Sequence, residues 1–237
     1  DLRSAITVAI TCGTAGIIVG VVTMTGLGLK MADGLIQLAG GSLLLTMVFT
    51  MLSSIVLGMG VPTTANYIIQ ATISAPALVA LGVPPIAAHM FVFYFGIVAD
   101  ITPPVALAAF AGAGISGGDP MKTGFNATRL GIAAYIAPYM LVYNPILVLV
   151  NVEGYSTGIF VLMVLKSTFT AVVGMGGLAT GFTGYLKTNC KLWERIILIV
   201  GGLLLVDPGT VTDITGAALM VAVYLAQRRR IGKAAIS

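Results

Sequence analysis

Charge is what this chain of 237 residues has least of: Lys and Arg number 12, Asp and Glu 8, and only 8% of the chain is charged. A soluble domain carries about 25% charged residues, so water is excluded as the main solvent. Histidine is nearly absent, with one residue; that excludes a histidine-based metal cluster and gives no supported Ser-His-Asp set. No HExxH, CxxC or Walker loop is present. No catalytic residue is assigned, and the chain is not read as an enzyme. The two cysteines, Cys12 in an apolar run and Cys190 near a basic loop, are read as free thiols rather than a disulfide framework. A net charge of +4, concentrated at the C-terminus, speaks about topology and not about nucleic acid. The apolar runs do not alternate with polar residues, which argues against an outer-membrane barrel.

Apolar residues take the vacated space. They make up 58% of the chain, with 30 glycines and 10 prolines and a mean hydropathy of +1.05. Repeated runs of membrane-spanning length describe an all-α, polytopic membrane protein with the lipid bilayer as its surroundings. The chain opens on Asp1-Leu2-Arg3 without an initiator methionine and is read as a piece of a longer polypeptide or a trimmed product. Residues 5–26 form a first span, and a short polar link with Lys30 and Asp33 follows. Residues 35–83 are two helices joined by a polar tip, 58-GMGVPTTANY-67, which reads either as two spans or as one re-entrant hairpin, and residues 85–116 form one broken helix. Residues 116–129 are a polar connection, 130–150 a span containing Pro138 and Pro145, and 155–185 an over-long apolar run with Lys166. A basic loop at 187–195, a run at 196–206, a turn at 207–213 and a last run at 214–226 complete the chain. With the arginine cluster 228–230 placed in the cytoplasm, the positive-inside rule favours a hairpin that enters and leaves on the outer face.

Two polar breaks interrupt this pattern. In 95-FGIVADITPPVALAAF-110, Asp100, Thr102, Pro103 and Pro104 fall where a membrane helix should continue. Proline lacks an N–H and pushes the preceding residue out of the α region, so the helix is expected to unwind over 100–104. Unwinding frees carbonyls at one helix end and N–H groups at the start of the next. Carbonyls and hydroxyls suit a small hard cation, and a helix N-terminus suits a carboxylate. The hairpin tip offers the same kit: Gly58 and Gly60 permit unusual backbone angles, and Thr63, Thr64 and Asn66 supply hydroxyl and amide groups. Irregular backbone at membrane depth is tolerated only where it is buried in protein or lines a cavity, and discontinuous helices are how secondary transporters build sites. The competing reading is a plain Pro-Pro kink and an ordinary outside loop. Asp100 weighs against it, because a carboxylate within a span is costly; it could ligate a cation, carry a proton or pair with a neighbour.

The stretches GMGVPTTANYIIQATISAPALVALGV and DITPPVALAAFAGAGI resemble the second half of the large membrane subunit of TRAP (tripartite ATP-independent periplasmic) transporters. The likeness is strongest to fused permeases that work with TAXI-type binding proteins, and it covers residues 1–150. The tail resembles the extension of those fused permeases, which divides the chain into 1–150 and 151–237. The resemblance implies one inverted-repeat half of an elevator-type transporter, completed by an N-terminal half of the same permease. It also implies ion-coupled import of small organic anions such as carboxylates, delivered by a periplasmic binding protein, in the bacterial or archaeal cytoplasmic membrane with a cytoplasmic C-terminus. Sodium would bind at the tip and the break, which assigns Gly58, Gly60, Thr63, Thr64 and Asn66 to the tip and Thr102, Pro103 and Pro104 to the break. Thr63, Asp100 and Thr102 are the candidate sodium ligands, and no organic cofactor is expected. Many relatives carry glycine at the position of Ala106 and an uncharged residue at that of Asp100, while the TAXI-linked branch resembles this sequence better at both. The acid here leaves a proton as the alternative coupling ion. A non-transporting scaffold subunit of a larger complex is the rival function.

His89 reads as structural, Lys166 as snorkelling to the interface or pairing with a buried acid, and Trp193 as an interfacial anchor. Tyr67 and Tyr94 are able to face a substrate.

Overall fold

The computed structural model describes residues 2–150 and 156–234; the expected loop at Asn151–Gly154 lies outside them. Among the described residues the regular structure is helical, apart from one isolated bridge between Tyr185 and Asn189. Two compact units divide the chain, residues 1–128 and 129–237. Among the described residues, two helices are long and apolar enough to cross a membrane, or three if a bent pair is counted as one span.

In the first unit, α1 (Leu2–Thr25) is followed by α2 (Leu27–Leu38). Gly26, in the left-handed region at φ 65°, turns the chain, and the two helices bend by 76°. Lys30 and Asp33, expected in a polar link, are helical. Alanine and glycine at Gly28 and Ala32 give α2 a small buried face, and the two charges ride on the exposed one. Gly40 and Gly41, both at positive φ, make the next turn. The first hairpin arm therefore starts later than the apolar pattern implied, as α3 (Leu43–Gly58). The return arm is α4 (Thr63–Ile73) plus α5 (Ala75–Ala80), jointed at Ser74 because Pro76 has no N–H to continue the ladder.

Helix α6 (Pro85–Val98) packs against α3, α4 and α5. A single turn of 3-10 helix (Ala99–Ile101), an irregular stretch, and α7 (Leu107–Ser116) follow, as the proline pair predicts. The expected polar connection is mostly helix α8 (Pro120–Leu130). Asp119 caps it: its Oδ1 accepts from the Lys122 N–H at 2.8 Å, and Pro120 sits at the first helical position, where its missing N–H costs nothing.

The second unit begins with α9 (Ile132–Tyr143). The expected span 130–150 does not run through. Asn144, extended before Pro145 at φ −125° and ψ 77°, ends α9, and 3-10 helix covers Pro145–Val148. Then come α10 (Thr157–Thr183), α11 (Leu192–Val206) and α12 (Thr210–Ala234). These three pack as close neighbours because facing positions carry bare glycine. A Cβ on Gly202 would come within 2.7 Å of the Gly174 carbonyl, and one on Gly216 within 2.6 Å of the Gly201 carbonyl. Small residues are what let membrane helices approach in the absence of a hydrophobic drive.

The basic residues counted for topology are tied down in this unit. Arg195 Nε donates to the Gly181 carbonyl at 2.9 Å, and Arg129 Nε to the Phe182 carbonyl at 3.2 Å. Both satisfy carbonyls left open at the C-terminal end of α10, where cations are favoured. Glu194, 2% exposed, accepts from Gln227 Nε2 at 3.1 Å and pairs with Arg230 Nη1 at 3.3 Å. Both cysteines are free thiols.

Candidate functional site: the hairpin tip against the helix break

Pro62 and Gly60 set the tip. Proline cannot extend α3, and Gly60 takes φ +74°, a conformation that costs other residues steric strain. The return helix α4 starts at Thr63, which places Thr63 and Thr64 on an exposed first turn and buries Asn66 one turn later.

Asn66 is the joint. It is 1% exposed, and its Oδ1 accepts from Gln70 Nε2 at 2.8 Å. Its amide nitrogen lies against two glycines: a Cβ on Gly58 would approach it at 2.9 Å, and a Cβ on Gly96 would collide with it outright. The same position on Gly58 is 2.9 Å from the Ala99 Cβ and 3.0 Å from the Gly96 carbonyl. The start of the tip therefore stands directly on the end of α6, one residue before Asp100. Gly96, which the sequence reading passed over, is what makes room for Asn66.

Behind the joint, α3 and α4 face each other with polar side chains. Gln70 Nε2 also donates to the Ser54 carbonyl at 2.9 Å. Among the described residues, four buried oxygens have no hydrogen-bond partner: Thr50 Oγ1, Ser54 Oγ, Gln70 Oε1 and Ser74 Oγ. Buried polar atoms are nearly always paired, and four orphans on one hairpin mark it as unlike the rest of the molecule. Their signal in the sequence is a four-residue spacing, Thr50 with Ser54 on one arm and Gln70 with Ser74 on the other, which puts each pair on one helix face.

The break itself is more self-satisfied than unwinding alone predicts. Thr102 Oγ1 donates to the Val98 carbonyl at 2.6 Å, and the Thr102 N–H donates to the Ala99 carbonyl at 3.1 Å. Thr128 Oγ1 reaches the Ile101 carbonyl at 2.9 Å from α8. Pro103 and Pro104 are joined by a cis peptide bond, and Ala106 is left-handed at φ 35°. Gly124 of α8 lies against this turn: a Cβ there would be 3.2 Å from Pro103 Cγ. The segment read as a connection thus buttresses the break through Gly124 and Thr128. Asp100 is half-buried and forms no ion pair among the described residues.

Of the expected site residues, Gly58 and Asn66 meet the end of α6 beside Asp100. Thr102, Pro103 and Pro104 form the turn that follows, and Gly60, Thr63 and Thr64 stay at the exposed end of the tip. The tip and the break between them carry hydroxyl, carbonyl, amide and carboxylate groups, donor types that hard cations take. His89 Nδ1 is 3.1 Å from the Tyr67 hydroxyl, which ties α6 to α4.

No curated protein and no solved structure matches the chain. The family model described as "Tripartite ATP-independent periplasmic transporter, DctM component" matches residues 1–156. That family comprises permease components of secondary transporters: multi-pass membrane proteins, not enzymes, that work with a periplasmic binding protein. With well over half its length matched, and with the family's apolar helices in place, this chain belongs to the DctM permease family of TRAP transporters.

Proposed function

We propose that this chain is the ion-coupled half of a TRAP permease that imports small organic anions such as carboxylates, with sodium as the coupling ion. The observation that carries the reading is the seating of Asn66 between Gly58 and Gly96, which brings the hairpin tip onto the helix break beside Asp100. Sodium fits the oxygen donors there. The proposed ligands are Thr102, whose hydroxyl donates to the Val98 carbonyl, together with Asp100 and Thr63. Asn66, with its oxygen taken by Gln70, positions the tip. A proton on Asp100 is the alternative coupling ion.

Binding a cation between tip and break would order both and preorganise the anion site, and an elevator movement would carry the two across together. The anion would meet hydroxyls and the N-terminal end of α7, where backbone N–H groups and the helix dipole favour a carboxylate. The proposed partners are a TAXI-type binding protein and an N-terminal half of the same permease, in the cytoplasmic membrane with the C-terminus in the cytoplasm. Residues 1–150 would form the transport unit and 151–237 a transmembrane extension.

Uptake into proteoliposomes containing the full-length permease and its binding protein tests this, with sodium and proton gradients imposed separately. A sodium gradient should drive accumulation without ATP, and Asp100→Asn or Thr102→Val should abolish it at normal membrane insertion. Undiminished uptake by both variants would contradict the reading and favour the scaffold.

A further inference from the structure

The second unit holds a polar site for which the transport reading has no use. Lys166 Nζ and Asp213 Oδ2 are 2.8 Å apart, joining α10 to α12, with the lysine side chain 53% and the aspartate 13% exposed. They line a cavity of about 210 Å³ together with Asn144, Ser167, Thr170 and Thr210. Asn144 is 8% exposed. Its backbone N–H donates to Met140 and its carbonyl accepts from Leu147, yet its side-chain amide has no hydrogen bond among the described residues. Asn144 lines the cavity, so its amide can bond a polar guest. The cavity's size is below the roughly 300–1,000 Å³ of pockets for drug-sized ligands, which points to a small polar group.

The charges specify which group. Lys166 and Asp213 sum to zero, so a simple anion would meet the lysine but be repelled by a carboxylate held a few ångströms away, and a simple cation the reverse. A zwitterion satisfies both, with its anionic oxygens on Lys166 and the cavity hydroxyls and its N–H donors on Asp213 and the Asn144 oxygen. Depth favours a lipid as the source. Helix α10 has 27 residues, about 40 Å at 1.5 Å per residue, longer than the roughly 30 Å of hydrocarbon it must cross. Lys166 is paired with Asp213, which lies in the first turn of α12, at one end of a segment long and apolar enough to span a membrane.

We propose that the Lys166–Asp213–Asn144 cavity binds a zwitterionic primary-ammonium group, the phosphoethanolamine headgroup of a membrane lipid. A choline headgroup has no N–H to give Asp213, and a glycerol headgroup has no cation.

The purified full chain is tested by native mass spectrometry with phosphatidylethanolamine, phosphatidylcholine and phosphatidylglycerol of matched acyl chains, and with free O-phosphoethanolamine as competitor. Phosphatidylethanolamine should be retained about tenfold better than either other lipid, the value of one hydrogen bond to a charged group. Asp213→Asn should remove the preference over the anionic lipid. Asn144→Ala, which leaves the ion pair intact and guards against misfolding of the charge variant, should lower retention about fivefold. Displacement by free phosphoethanolamine would keep the zwitterion chemistry and make a soluble molecule its source. Equal retention of the three lipids, or a preference that survives both substitutions, would overturn the proposal.

Discussion

The two units pack glycine for opposite purposes. In the second, backbone meets backbone: Gly202 against Gly174 and Gly216 against Gly201. The buried acid there, Glu194, is saturated by Gln227, Arg230 and the Lys191 N–H. In the first, glycine makes room for a side chain, Asn66, and the polar groups behind it go partly unpaired. A closed ledger of hydrogen bonds fixes one arrangement. Orphaned oxygens at a joint leave bonding capacity open, and here they accompany a carboxylate, Asp100, beside a helix break.

The comparison can be broken most forcefully at its closed end. Arg230→Met leaves Glu194 buried without its cation. Removing one partner of a buried pair costs roughly 3–5 kcal/mol, and with Arg230 a third exposed we expect about 2–3 kcal/mol, read as a fall in thermal midpoint. Uptake per folded molecule should be unchanged. Gly96→Ala is next: its Cβ strikes Asn66, overpacking costs about 1–3 kcal/mol, and uptake should vanish. Gly112→Ala, at a position with open space around it, should stay within about 0.5 kcal/mol of wild type. Ser54→Ala removes a buried, unpaired hydroxyl. It should stabilise the fold by up to about 1 kcal/mol, because an unsatisfied group is a cost, while raising the sodium concentration for half-maximal uptake; no change in sodium dependence would make the orphaned oxygens purely structural. Ala106→Gly relieves the left-handed alanine at φ 35° and should raise the midpoint of a denaturation curve slightly, because the strain removed exceeds the chain entropy that glycine adds.

Much of this was legible before any coordinates. Pro84 and Pro85 marked the start of α6, Pro103 and Pro104 the break, and Gly58 to Pro62 the tip, because proline and glycine act locally on the backbone. Local signals at Asp119 and Pro120 also announced α8, but its polar composition disguised it as a connection. The Gly40–Gly41 turn was hidden for the opposite reason: it sits between apolar residues, and hydropathy runs straight through it. The seat of Asn66 on Gly96 and the pairing of Lys166 with Asp213 join residues far apart in the chain. No periodicity encodes such meetings; only packing decides them.

The central claim, that tip and break share one ion, is tested most directly by cation protection of single cysteines at Val61 and Ile101, placed in the permease after Cys12 and Cys190 are replaced by serine. Maleimide labelling of both sites should fall as sodium is added, with the same half-effective concentration, while a cysteine at Gly112 is indifferent. Protection at one site alone, or at two unrelated concentrations, would mean that the two stretches do not hold a common ion.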